Sequence, residues 1–387
     1  MRRSTLSLFV CLTAVAQVLL ADPALRLKRR VIEMPNDLDA YRVGALKRRH
    51  PGKSHYLVQF SSSPSGEQVE ALRRRGATIV NYVPDAALVV AAEDDMSWDG
   101  LELKYVGRLD TLDKVSENLP ADQTTDSAVV VEFHRDVDMD EARALVRERN
   151  LQIDEGSNLL PYQLLVEGPV ADILRLPEWD EVAYVFPASP ELINGEDVRP
   201  CAGPITEQGP VAQYVLGSAG WPATGAKGSP VALKYAFGTL TSKIPASLVQ
   251  SEIIRAMNEW TKVTNVRFSM SKNATGKRTI NIFFASYAHN DGLSFDGPGG
   301  VLAHTFLPDP PNPEPRAGDM HLDADESWQA GSFVDLFSVA LHEIGHALGL
   351  AHSNDPSAVM YPFYKLTTTL TADDITGIQK IYGPPQK

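Results

Sequence analysis

The chain has 387 residues, enough for two or three domains, and its 43% hydrophobic content describes a globular protein with real cores. A formal net charge of −13 argues against nucleic acid or an anionic membrane surface as the partner.

Arg2 and Arg3 precede an apolar run from Leu6 to Leu20 that ends at Ala21. Residues 1–21 therefore read as a signal peptide, which predicts a secreted, extracellular protein, or a periplasmic one in a bacterial host. No later segment is apolar enough for a stable membrane span. Cys11 lies inside that run, so Cys201 is the one thiol left after cleavage and no internal disulfide is expected. Residues 22–53 read as an exposed basic linker. They hold Lys28-Arg29-Arg30 and Lys47-Arg48-Arg49, candidate processing sites.

Two copies of one pattern follow, at 54–118 and 126–190. The first runs SHYLVQF, SGEQVEALRRRGATIV, AALVVAA and ELKYVGRL; the second runs SAVVVEF, DMDEARALVRERNLQI, YQLLVEG and DEVAYVF. Each opens on a strand pattern, continues with an amphipathic helix capped by Ser65 or Asp138, and closes with two more strands. Val170 to Leu176 reads as a further helix in the second copy. The order β-α-β-β-α-β predicts two ferredoxin-like repeats, and the pattern resembles the small propeptide domains that precede many secreted proteases.

Residues 191–230 are rich in Gly and Pro and read as a linker that contains Cys201. From 231 to 387 the chain becomes compact again. Strands are predicted at Val231 to Phe237, Val266 to Met270, Ile280 to Ala285 and Val301 to Phe306. A helix over Pro245 to Thr264 carries Val249, Ile253, Met257 and Trp260 on one face. Ser332, with Asp335 three residues later, is expected to cap the next helix, and Thr371 to Tyr382 forms the last. Asn273-Ala274-Thr275 is a glycosylation sequon if the export route glycosylates.

The most specific stretch is VALHEIGHALGLAHSNDPSAVM, Val339 to Met360. His342 and His346 stand one helical turn apart on one face, with Glu343 beside the first. Gly349 permits the turn that returns His352 towards them. Three imidazoles with an open fourth position make a catalytic zinc site, and H-E-x-x-H-x-x-G-x-x-H followed by a Met is the metzincin signature. Upstream, His289, Asp291, His304 and His321 supply three imidazoles and a carboxylate, a set that closes a four-coordinate structural zinc. Asp296, Asp323 and Glu326 add hard oxygens, and Gly297, Gly299 and Gly300 let carbonyls turn inward, which suits calcium.

From about residue 211 to 387 the sequence resembles the catalytic domain of the matrixins, the matrix metalloproteinase family. VAQYVL, FDGPGG, LAHTF, GDMHLDADE, HEIGHALGLAH, AVMYP and DDITGIQKIYG recur in order. The resemblance implies an α/β (α+β) metzincin domain with a mixed, twisted sheet and peptide-bond hydrolysis, with extracellular matrix among the expected settings. It implies a structural zinc at His289, Asp291, His304 and His321. It implies calcium at Asp296, Asp323 and Glu326 with the carbonyls of Gly297, Gly299 and Val301. Met360 would lie in a tight turn beneath the catalytic zinc, and Pro362 to Tyr364 would wall the pocket for the residue after the cut. An extended protein or peptide substrate would pair with the strand that contains Ala303, and Glu343 would act as general base and acid.

The family's latency motif, P-R-C-G-x-P-D, has a partial counterpart in Arg199-Pro200-Cys201-Ala202-Gly203-Pro204. Its Arg and Pro are exchanged and its Asp is missing. Cys201 is thus the expected inhibitory zinc ligand of a zymogen, with the pro-region as an internal partner. A second calcium site lacks its expected groups, since Thr279 and Ala317 stand in place of an acid and a Gly, although Asp319 is present. The competing reading is a catalytically silent metal-binding adhesion or interaction protein.

Overall fold

The computed structural model describes residues 24–32 and 46–386, apart from 121, 157, 208, 214, 224–228 and 310. The signal-peptide reading lies outside the described residues.

The first repeat contains β1 (Lys53–Phe60), α1 (Gly66–Arg74), β2 (Thr78–Val83), β3 (Ala87–Glu93) and β4 (Leu103–Gly107). Its sheet has the order β2-β3-β1-β4 and is antiparallel throughout. Ser65 begins α1 with a full capping box to Gln68, as its position predicts. The second repeat contains β5 (Asp126–Phe133), α2 (Met139–Arg147), β6 (Gln152–Asp154), β7 (Gln163–Pro169) and β8 (Val182–Pro187). Its order, β8-β5-β7-β6, is the same arrangement, and Asp138 caps α2. The expected helix from Val170 is only Val170–Ile173, followed by a 3-10 turn at Leu176–Glu178. Pro177 explains the break, because it lacks the amide proton a longer helix would need. The first repeat has no helix between β3 and β4, so it does not complete the β-α-β-β-α-β order.

Two segments expected to be linkers are packed instead. Leu25, Leu27 and Ile32 are buried in the core of the first repeat, and Arg30 is paired with Asp110 and Asp113. In the second basic run, Lys47 pairs with Glu178, Arg48 with Asp94 and Arg49 with Glu148. Between 191 and 223, Val198, Cys201, Ile205, Val211, Val215 and Trp221 are buried. Isolated apolar residues among Gly and Pro carry no period, which is why the sequence alone reads as linker.

The C-terminal domain contains β9 (Val231–Phe237), α3 (Ala246–Val263), β10 (Val266–Met270), β11 (Thr279–Ala285), β12 (Ala303–Thr305), β13 (Met320–Asp323), α4 (Leu336–Ala347) and α5 (Ala372–Tyr382). The sheet order is β10-β9-β11-β13-β12, with four parallel strands and an antiparallel edge, β12. Val249, Ile253, Met257 and Trp260 of α3 are buried in one core with Val339, Ala340 and Ile344 of α4. Trp260 also donates its indole N–H to the Leu341 carbonyl at 2.9 Å, which fixes the two helices in register. β12 is shorter than the predicted Val301 to Phe306. The cap of α4 also differs from expectation. Asp335, not Ser332, is the N-cap, and its carboxylate accepts from the Ser338 amide at 2.9 Å.

Candidate metal centre

α4 is buried along its whole length, so the two imidazoles it carries must be satisfied inside the protein. His342 donates from Nδ1 to the Val359 carbonyl at 2.7 Å, and His346 donates from Nδ1 to the Leu350 carbonyl at 2.8 Å. Each ring is thereby held with Nε2 free, and the two Nε2 atoms lie 3.0 Å apart. Gly349, at φ +103°, makes the turn after α4; a side chain there would meet Ser218 Oγ at 2.6 Å. Beyond it His352 returns with Nδ1 held by Gln213 Oε1 at 3.1 Å and with Nε2 buried without a hydrogen-bond partner.

Cys201 completes the group. Its sulfur lies 3.6 Å from His346 Nε2, and the ligand atoms of Cys201, His342, His346 and His352 all fall within 4.8 Å of one another. Around a tetrahedral zinc, nitrogens lie about 3.3 Å apart and nitrogen and sulfur about 3.6 Å apart, so this donor set fits the ion. Burial pulls all three imidazoles down, His346 to about 4, which keeps them neutral and able to donate a lone pair. Burial and the Glu343 carboxylate push the Cys201 thiol well up, so its thiolate requires a cation beside it.

Glu343 is buried, accepts from the hydroxyls of Thr305 and Tyr364, and lies 3.6 Å from the Cys201 sulfur. Burial alone would raise its carboxyl; His346, His342 and the two hydroxyls outweigh that, and the net shift is downward. Met360 packs under the helix at Gly345, where a Cβ would come within 2.3 Å of its sulfur. The loop carrying Met360 is fixed from α5, because Asp374 accepts from the amides of Val359 and Met360, both at 3.0 Å.

The second histidine set also converges. Asp291 Oδ2 lies 2.8 Å from His289 Nε2, 2.8 Å from His304 Nε2 and 2.9 Å from His321 Nδ1. The three nitrogens are 3.1 to 3.4 Å apart, again the edges of a zinc tetrahedron. Among the described residues these are the two groups whose ligand atoms converge so closely. Asp296, Asp323 and Glu326 surround one loop without forming a third such group. The Val301 amide donates to Asp296 and the Gly299 amide to Glu326, while the Gly299 carbonyl accepts from Arg199. Burial, then Asp325, Glu326 and Asp296, push Asp323 up to about 6, and its Oδ2 is buried and unpartnered. Asp319 turns onto the Asn281 amide at 2.8 Å.

The residues before and after Cys201 line the cleft. Arg199–Pro200 pairs antiparallel with Phe363–Tyr364, the Cys201 amide donates to the Pro362 carbonyl at 2.8 Å, and Ile205 bridges in parallel to Phe306, just beyond β12 and Ala303. Thr305, Asp374 and Gln213 were not singled out as site residues by the sequence reading. Thr305 sits beside a histidine ligand and Asp374 in a capping position, and Gln213 lies in the VAQYVL stretch, although its residue type names no role there.

A mixed sheet over a buried helix that presents a histidine triad with an adjacent glutamate defines a single-metal hydrolase-type centre. Residues 226–383 match the family model described as Matrixin, and residues 26–110 match a domain of unknown function. Human Matrix metalloproteinase-16 is 44% identical over 177 residues, 42% of this chain and 28% of that protein. The Hatching enzyme of Paracentrotus lividus is 44% identical over 178 residues, 45% of this chain and 28% of its own, and the Macrophage metalloelastase of Oryctolagus cuniculus 45% over 160, 40% and 33%. The chain spans a third or less of the length of these relatives. Over residues 226–383 the chain carries a matrixin domain.

Proposed function

We propose that this chain is a secreted zinc endopeptidase made as a zymogen, with Cys201 as the ligand that keeps it latent. The observation that carries the reading is the convergence of the Cys201 sulfur and the three imidazoles on one point beside Glu343. Zinc, when bound by His342, His346 and His352, would acidify a water and polarise the scissile carbonyl. Glu343 would take the proton of that water and pass it to the leaving amine, and the Thr305 and Tyr364 hydroxyls would hold its carboxylate in place.

An extended substrate would use the hydrogen-bonding edge at Ala303 and the wall from Pro362 to Tyr364. Arg199–Pro200 pairs with that wall and Ile205 with Phe306, just beyond the Ala303 edge, so the pro-region would inhibit by filling the cleft as well as by offering its thiol. The strand orders of the two N-terminal sheets support a ferredoxin-like reading of 54–118 and 126–190. We assign structural zinc to His289, Asp291, His304 and His321, and calcium to Asp296, Asp323 and Glu326 with the carbonyls of Gly297, Gly299 and Val301. The buried, unpartnered Asp323 oxygen amid like charges supports a cation there. Incubating the activated protein with a peptide library, with and without a chelator, tests the reading. Chelator-sensitive cleavage supports it, and a fully loaded protein that cuts nothing would favour a silent binding role.

A further inference from the structure

Each imidazole of the triad keeps Nε2 for the metal by donating its Nδ1 proton elsewhere. For His342 and His346 the acceptors are backbone carbonyls of the C-terminal domain itself, Val359 and Leu350. For His352 the acceptor is a side chain, Gln213, which lies outside the matrixin match. Gln213 and His352 are both buried. The orientation of the amide matters: Oε1 facing Nδ1 keeps the proton there and the Nε2 lone pair free, whereas the flipped amide would demand the opposite tautomer.

The segment carrying Gln213 is anchored by the N-terminal region. The Ala212 amide donates to the Tyr82 carbonyl at 2.9 Å, Val211 bridges to Tyr82, and Val215 bridges to Leu27. The loop beyond His352 is held from the same side. Asn354 accepts from Lys28 at 2.8 Å and donates to the Tyr184 hydroxyl at 2.7 Å.

We propose that Gln213 is a positioning residue for His352, so that the segment leading into the protease domain, anchored by the N-terminal region, tightens the metal site. The proposal rests on the zymogen reading above. Partners of this kind on metal-bound histidines are typically worth 10- to 100-fold in metal affinity. It follows that the position of the activating cut matters: a cut before Gln213 leaves the orienting group on the protease, and a cut after it removes that group and loosens the metal.

The test uses the full-length chain with Cys11→Ala, loaded with Co2+. Cys201 is then the only thiol, and the thiolate-to-cobalt charge-transfer band reports the triad site alone. Titration with a competing chelator gives the cobalt affinity of this background, of Gln213→Leu and of Gln213→Glu. The expected result is a 10- to 100-fold loss for Leu and near-full retention for Glu, which keeps an acceptor. Equal affinity in all three, or an equal loss in both variants, overturns the proposal and leaves the zymogen reading intact. Absence of the band from the Cys11→Ala background overturns both.

Discussion

The Cys201 sulfur lies 3.6 Å from Oε1 of Glu343, the carboxylate proposed above to take the proton of the attacking water. On the zymogen reading, the sulfur takes the ligand position that an attacking water would need. Latency and chemistry compete for the same volume, and several outcomes follow from that competition.

Replacing Cys201 by Ser removes the sulfur and keeps the chain in the cleft. Full-length Cys201→Ser should cleave a peptide substrate faster than the intact wild type, with the thiolate contribution removed and the pairing of Arg199–Pro200 retained. Equal latency in the two proteins, measured before any processing, would discard the thiol as the lock and leave the steric plug alone.

Glu343→Gln preserves the shape of the side chain and an acceptor for one of the Thr305 and Tyr364 hydroxyls while removing the base. In the activated protein, kcat should fall by about 10²–10⁴ with zinc content unchanged. Turnover near the wild-type rate would remove Glu343 from the mechanism.

Asp374→Ala deletes the carboxylate that receives the Val359 and Met360 amides, leaving two buried donors unpaired. Each such donor costs about 1–3 kcal/mol, so denaturant unfolding should report a loss of about 2–6 kcal/mol. Val359 also receives the His342 Nδ1 proton, so zinc affinity should fall with it. An unchanged unfolding midpoint would show that the loop under the triad holds itself.

Acid should loosen the contact between the two N-terminal repeats. His55 of β1 donates to Asp180 at 2.8 Å and to Asp136 at 2.9 Å, and stacks on His134 with ring centroids 3.8 Å apart. Burial opposes charge on His55, but the two carboxylates outweigh it and raise its pKa; the stability it contributes is complete below about 6.5 and is lost as pH rises through the raised value. His134 is shifted well down, by burial first and then by His55 and Lys114. The stability carried by its neutral form is therefore present above about 6.5 and lost as pH falls, by up to ~1.4 kcal/mol per unit. Below about 6.5 the His134 loss adds to that of the other buried histidines, since Asp136, at about 2, and Asp180, also lowered, remain charged. Denaturant unfolding of the full-length chain at pH 6.5 and 5 should show a smaller loss for His134→Phe than for the wild type. Parallel losses would contradict this assignment.

Much of the metal centre was legible because its information is local. His342, Glu343, His346 and Gly349 fix their own geometry through the helical turn and its end, and the strands and helices of the N-terminal region show through their periods. The less visible parts depend on pairing across the chain. The linker around Cys201 reads as shapeless because its order comes from Phe363–Tyr364 and Phe306, more than a hundred residues away in sequence. The basic run at Lys28 reads as solvated surface, yet it is held by Asn354 at a separation of 326 residues. Gln213 falls in the VAQYVL stretch, but its residue type names no partner until the fold brings it to His352.

The most direct test of the account is anomalous diffraction at the zinc edge from crystals of the full-length chain. The account predicts a peak about 2.0–2.1 Å from the Nε2 atoms of His342, His346 and His352 and about 2.3 Å from the Cys201 sulfur. A loaded crystal with density at His289, His304 and His321 but none among the triad, or with Cys201 turned away from the ion, would contradict it.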